Sequence, residues 1–196
     1  MTSIMKPTTD RKAQTHERIL EVAARAVRRH GYDGVGVAEV MKEAGLTHGG
    51  FYAHFPSRDA MLAEAVQRAG RDADGVIAES SAAREAAGES PFAALVNTYL
   101  HDAHLTGTET GCVVAALASE MPRQDAAALA GARARVQNLI GLVRTALPEG
   151  VAVEEAPAIA GALVGSLQLA RTLGGKAGKA LLAQSRRSLL SRYAPS

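Results

Sequence analysis

An apolar period of three to four residues recurs along almost the whole of this 196-residue chain, and no stretch sustains the alternation of a strand. That property restricts the chain to an all-α fold. Ile19, Leu20, Ala23, Ala26 and Val27 line one face of a helix expected over Lys12–His30. Arg18, Arg25, Arg28 and Arg29 fall largely outside that face, and Gly31 supplies the stop. A short helix is expected over Val37–Ala44, with Val37, Val40, Met41 and Ala44 inward. Gly45-Leu46 then makes a tight turn, and Thr47 is placed to cap a third helix ending near Phe55.

Pro56 breaks that helix and Ser57 caps the next, which carries Met61, Leu62, Ala65 and Val66 and extends to about Ser80. Ser81–Glu89 reads as a loop. Ser90-Pro91 is an N-cap followed by an N1 proline, with Phe92, Leu95, Val96, Tyr99 and Leu100 at helical spacing behind it. After a break at Thr106–Gly111, a short apolar helix over Cys112–Met121 is stopped by Pro122. Helices over Asp125–Leu147, Glu154–Leu173 and Lys176–Tyr193 complete about nine, the last two joined at Gly174-Gly175.

Composition narrows the setting. Hydrophobic content of 47% with 21% charged residues is that of a folded globular chain. The longest nearly uncharged run, Ala156–Ala170, is shorter than the ~20 residues of a membrane span. Met1–Asp10 has no apolar segment of the signal-peptide kind and reads as a flexible arm. One cysteine, Cys112, excludes an intramolecular disulfide, and the expectation is a cytoplasmic protein. The first 58 residues carry an excess of three positive charges while the rest is nearly neutral, a weak pointer to phosphate. No P-loop, nucleophile elbow, dinucleotide fingerprint or paired-carboxylate motif is present, so neither an enzyme nor a cofactor is expected.

Two short helices joined by a glycine-centred turn, behind a basic helix, form a helix-turn-helix, whose second member enters the major groove. The stretch Val40–Asp59, and within it Phe51-Tyr52-Ala53-His54-Phe55 followed by Ser57-Arg58-Asp59, resembles the DNA-binding signature of the TetR family of repressors. The resemblance spans about Arg11–Leu62 and implies a DNA-binding head over residues 11–56 and a ligand-sensing, dimerising remainder over 57–196. Phe51 and Phe55 are expected to pack inward, against Leu20 and Val40. Thr47 would cap the reading helix and aim its free N–H groups at phosphate. Gly49 and Gly50 would let the backbone approach DNA. The resemblance places Tyr52, His54 and Arg58 on phosphates, and His48 is the candidate base-edge contact. Val37 and Lys42 complete the set, with Lys42 equally readable as a solvated charge, and Arg11, Lys12 and Thr15 are possible helpers. Gly36 and Gly50 stand where relatives often carry Ser or Thr, so operator preference does not transfer.

The resemblance also implies a homodimer through the last two helices and a pseudo-palindromic duplex as partner. Ile159, Leu163, Leu167 and Ala170 form one stripe there, with Leu181, Leu182, Leu189 and Leu190 on the other helix. Each stripe reads equally as intrachain core. Gly111-Cys112-Val113-Val114-Ala115-Ala116-Leu117-Ala118-Ser119-Glu120 resembles the reactive-cysteine segment of the N-ethylmaleimide reductase repressor subgroup, which implies sensing of electrophiles and oxidants. A helix starting at Thr110 or Gly111 would put Cys112 in its first turn, and His101, His104 and Arg171 could add positive charge nearby. A lone cysteine on an apolar helix also reads as plain packing. Arg171 falls where that subgroup has a lysine, and guanidinium is the poorer nucleophile, so a cysteine–lysine product is not expected. Tyr99, His101, His104, Met121 and Gln168 are the pocket candidates. His101 and His104, with Asp102 or Glu120, are too sparse a set for a metal.

Overall fold

In the computed structural model, which describes residues 8–194, nine α-helices and three short 3-10 segments follow one another, and no strand forms among those residues. α1 spans Thr8–His30 and α2 Val37–Glu43, and a 3-10 segment covers His48–Ala53. The expected arm lies outside the described residues up to residue 7, and its last three positions belong to α1. α3 runs Arg58–Ala86, capped by Ser57 Oγ, which accepts from the Ala60 N–H at 3.1 Å. It passes six residues beyond the expected end because Ser81–Ala87 is rich in Ala, Glu and Arg, which hold a helix until Gly88 turns the chain at φ 97°.

α4 (Pro91–Tyr99) has the expected Ser90 cap, which accepts from Ala93 N–H at 3.3 Å. α5 (Asp102–Thr106) and α6 (Val113–Leu117) are single turns on either side of the 107–112 turn. α7 (Ala126–Ala146) is capped by Asp125, and α8 (Ala156–Leu173) and α9 (Gly175–Tyr193) form the terminal hairpin. One continuous core runs from Ile19 to Leu189, so both halves of the chain share it. α1 packs on α3, α3 on α4 and α7, and α8 on α9.

Two expectations about exposure change. Ile159, Leu163, Leu167 and Ala170 are buried within the chain, each large side chain contributing about 1.5–3 kcal/mol, so this stripe is intrachain core. The outward side of α8 carries Leu169 and Leu173 instead, 60% and 57% exposed. Gly178 is what lets α9 approach so closely, since a Cβ there would stand 2.4 Å from the Ala170 carbonyl oxygen. Arg28, though outside the apolar stripe of α1, is buried against α3 and donates to the Ala69 carbonyl at 3.0 Å. Among the described residues no helix is long and apolar enough to cross a membrane.

Candidate nucleic-acid interface and effector cavity

The turn after α2 closes through three backbone bonds, Ala44 N to Val40 O, Gly45 N to Lys42 O and Leu46 N to Met41 O, at 2.9, 3.0 and 2.8 Å. Gly45, at φ 68°, supplies the left-handed residue this requires. Thr47 occupies the backbone N-cap position, but its side chain makes no capping hydrogen bond, contrary to expectation. The following segment is 3-10 rather than α. Gly49 and Gly50, each about 1 kcal/mol worse than alanine in a helix, and Pro56 close behind leave too few good residues to propagate an α-helix.

Aromatic anchoring fixes this segment in place. Phe51 and Phe55 are buried and stack at 5.7 Å, and His16 of α1 stacks on Phe55 at 4.5 Å while bonding Glu64 at 2.9 Å. With the phenylalanines inward, Tyr52 is turned out and is 71% exposed. Thr47, His48, Gly49 and Lys42 are exposed too, and Gly50 is half-buried. Nothing lies within 4 Å of where a Gly49 Cβ would stand, so the fold itself places no demand for glycine there. Val37 is half-buried against the core. His54 is half-buried with its Nδ1 unpartnered, and burial, reinforced by His16 and Lys12, holds its pKa below the usual imidazole value.

Arg58, half-buried, also makes contacts within the chain. Its Nε donates to the Val35 carbonyl at 2.9 Å and its Nη2 to the Tyr32 carbonyl. The guanidinium thus ties the α1–α2 loop to the start of α3. Glu120 grips the same loop from the other half of the chain, accepting from Tyr32 N–H at 2.8 Å. Gly31, at φ 73°, makes room for it, because a Cβ there would meet a Glu120 carboxylate oxygen at 2.6 Å. A second link joins Arg29 to Glu109 at 2.8 Å. Sequence reasoning missed these links, since partners 80 and 88 residues apart leave no local pattern.

A cavity of about 280 Å³ opens between α3 and the 107–112 turn, floored by Ala73, Ile77 and Cys112, with Thr98, His101 and His104 in its wall. Of the pocket candidates, His101 and His104 therefore line it, together with Cys112. Met121 is buried elsewhere in the core, and Gln168 is occupied in tying α8 to α6 through the Ala115 carbonyl at 3.1 Å. Tyr99 is fully buried behind the wall, and burial together with the neighbouring Cys112 raises its pKa well above the usual phenol value.

His104 organises the cysteine. Its Nε2 accepts the Cys112 backbone N–H at 2.9 Å, so the ring proton is on Nδ1, which donates to the Tyr99 carbonyl at 2.7 Å. Burial drives its pKa down to about 4, with the Arg171 charge acting in the same direction, so the ring is neutral near pH 7 and adds no positive charge beside the thiol. Arg171 does bring a cation: its Nη2 donates to the His104 carbonyl at 2.9 Å, and its Nε is buried without a partner. Cys112 is the N-cap of α6 and not a first-turn residue, because the helix starts one residue later at Val113. It is 7% exposed. His101 caps α5 through Nδ1, which accepts from Ala103 N–H at 3.2 Å. With both His104 nitrogens occupied and Glu120 bound to Tyr32, no group of three or more metal-ligating side chains assembles among the described residues.

Residues 19–65 match the bacterial regulatory proteins of the tetR family. No curated protein matches the chain by sequence. Among solved structures, a TetR-family transcriptional regulator from Agrobacterium tumefaciens is similar at 22% identity and a TM-score of 0.75, over 93% of this chain and 98% of that one. E. coli NemR in its reduced form is similar at 18% identity and a TM-score of 0.71, covering 89% and 96%. AibR, solved with isovaleryl coenzyme A and operator DNA, is similar at 18% identity and a TM-score of 0.62, covering 92% and 98%. At these identities the likeness establishes the fold.

Proposed function

We propose that the chain is a member of the TetR family, whose N-terminal domain matches residues 19–65, and that it is a cytoplasmic, homodimeric repressor released from a pseudo-palindromic operator by a small effector. Members of the family are DNA-binding transcription regulators rather than enzymes. The observation that carries the proposal is the 47–54 segment, pinned by Phe51 and Phe55 with Tyr52, His48 and Gly49 turned to solvent. In this reading residues 11–56 are the DNA-binding head. His48 meets base edges, the Gly49–Gly50 backbone approaches closely, and Tyr52, His54 and Lys42 meet phosphates, with Thr47 and Val37 setting the approach. Arg58 contributes by holding the α1–α2 loop.

Residues 57–196 sense and dimerise. The outward face of α8, with Leu169 and Leu173, pairs with its copy alongside α9. The effector acts at the cavity beside Cys112, as a bound molecule or by electrophilic or oxidative modification of the thiol. AibR is a relative by fold that holds an acyl-coenzyme A together with operator DNA, and a cavity of about 280 Å³ suits a smaller molecule. Release requires the effector to prefer an arrangement of the heads that does not fit the operator.

The test is fluorescence anisotropy on an operator selected from random duplexes. His48→Ala is expected to change sequence preference more than general affinity, and a uniform loss would remove it from the base edges. Burial of Cys112 to 7% favours a second reading, a reversible ligand with the cysteine only as wall. Effector release that survives Cys112→Ser would select that reading.

A further inference from the structure

The cavity between α3 and the 107–112 turn is graded from apolar to cationic. Ala73, Ile77, Ser80 and Arg84 follow one another along α3 at steps of four, three and four residues, so they share one face of that helix. The face starts on the apolar floor beside Cys112 and ends, about 16 Å further along the axis, at a guanidinium. Val76 lines the same space and is 56% exposed, so a guest that covers it gains by removing apolar surface from water.

The polar end is a set of donors. Glu89 accepts from Arg84 Nη1 at 2.8 Å and from Asn97 Nδ2 at 2.7 Å, which fixes the guanidinium beside α4. Arg84 Nε and Nη2 make no bond among the described residues, and that edge of a guanidinium is a fork that fits a carboxylate. Thr98, next to Asn97, is 9% exposed, lines the cavity and leaves Oγ1 unpartnered, an unmade bond that costs stability until something meets it. His101 Nδ1 accepts the Ala103 N–H, so the ring proton is on Nε2, a further donor. No Asp or Glu lines the cavity, and Arg171, in no ion pair among the described residues, stands close behind Gly111 in its wall. A cationic guest therefore meets no counter-charge, whereas a group that only accepts meets several donors.

Volume limits the guest. About 280 Å³ is the liquid volume of roughly nine waters, which sets a scale of about ten non-hydrogen atoms. We propose that this cavity is a site for a small monocarboxylate, its carboxylate on Arg84 and Thr98 and its apolar body along Ile77 to Cys112. This assignment rests on the reading that a bound effector occupies the cavity, and it gives that effector a chemical class. Binding is reversible and leaves the thiol untouched, with Cys112 serving as wall.

The experiment is isothermal titration calorimetry on the full chain with matched eight-carbon probes, octanoate, octanamide and octylammonium, followed by anisotropy on the selected operator. Octanoate is expected to bind about tenfold more tightly than octanamide, with octylammonium the weakest. Lengthening the chain from butanoate should gain about fourfold per methylene and stop gaining near ten non-hydrogen atoms. Arg84→Gln should weaken octanoate about tenfold and leave octanamide unchanged, with Arg84→Lys losing less and Thr98→Val weakening octanoate several-fold. Val76→Trp, at an exposed position on the wall, should block both probes.

Equal affinity for octanoate and octanamide, or equal weakening of both by Arg84→Gln, would overturn the carboxylate assignment. If octanamide then still releases the operator, the effector cavity stands without it. Octanoate binding that survives Val76→Trp would put the ligand elsewhere and overturn the assignment as well. If octanoate binds as described and the operator complex is unmoved, the carboxylate site stands and the effector reading fails. If no alkanoate binds, the assignment fails, and the effector reading is decided by whether the neutral or cationic probe releases the operator.

Discussion

The 47–55 segment and the Cys112 neighbourhood are built in opposite ways. In the first, two phenylalanines four residues apart face inward while Tyr52 and Ala53 between them stand exposed. In the second, the thiol, Tyr99, His104 and Arg171 come from three elements and a turn, and almost nothing is exposed. The first is a local surface pinned by a local anchor, and the second is an interior assembled over long range. Changes in the reading segment should therefore separate stability from DNA binding, whereas changes near Cys112 should not.

The largest expected effect tests the anchor. Phe55→Ala removes a buried ring stacked on both Phe51 and His16, and urea denaturation should show a loss of about 3–5 kcal/mol. A loss under 1 kcal/mol would mean the segment is held by something other than its aromatics. Next comes pH. His104 has a folded pKa of about 4 against an ordinary 6.5, so between those values the unfolded chain binds the additional proton. Stability should fall as pH is lowered through that window, by up to about 3 kcal/mol. His104→Asn, which keeps a donor and an acceptor without titrating, should flatten that slope; an unchanged profile would place the acid sensitivity elsewhere.

Glu120→Ala leaves the Tyr32 N–H without its partner across the two halves, and a loss of about 1–3 kcal/mol is expected by the same denaturation assay. Glu120→Gln retains the acceptor and should recover most of it. The smallest change in stability belongs to Tyr52→Ala, within about 0.5 kcal/mol of wild type because the ring is 71% exposed. Its operator affinity should nonetheless drop several-fold with little change in salt dependence, because the hydroxyl contact carries no charge. A parallel loss of both properties would erase the distinction between the two regions.

Much of this was legible in the sequence. Helix periods, the Ser57 and Ser90 caps and the Gly31 stop are short-range signals, and the corresponding elements form with those caps in place, whereas the helix expected over Cys112–Met121 ends at Leu117 and Pro122 lies within a 3-10 turn. The inward turn of Phe51 and Phe55 follows from spacing alone. What misled was also local: Thr47 looked like a side-chain cap, Ser81–Glu89 looked like a loop, and Arg28 fell outside the apolar face of its helix. A cap needs a particular rotamer, a helix end depends on the sum of propensities, and an arginine is buried when a neighbouring carbonyl receives it.

By itself the sequence determined the helical class, the order of the elements and a head with an outward Tyr52, because apolar period, turn chemistry and capping act over a few residues. Tertiary structure alone decided that His104 holds the Cys112 backbone, that Arg58 holds the Tyr32 and Val35 carbonyls and that Glu120 reaches Tyr32. Those contacts join residues dozens of positions apart, and which donor finds which acceptor is settled only when the helices pack.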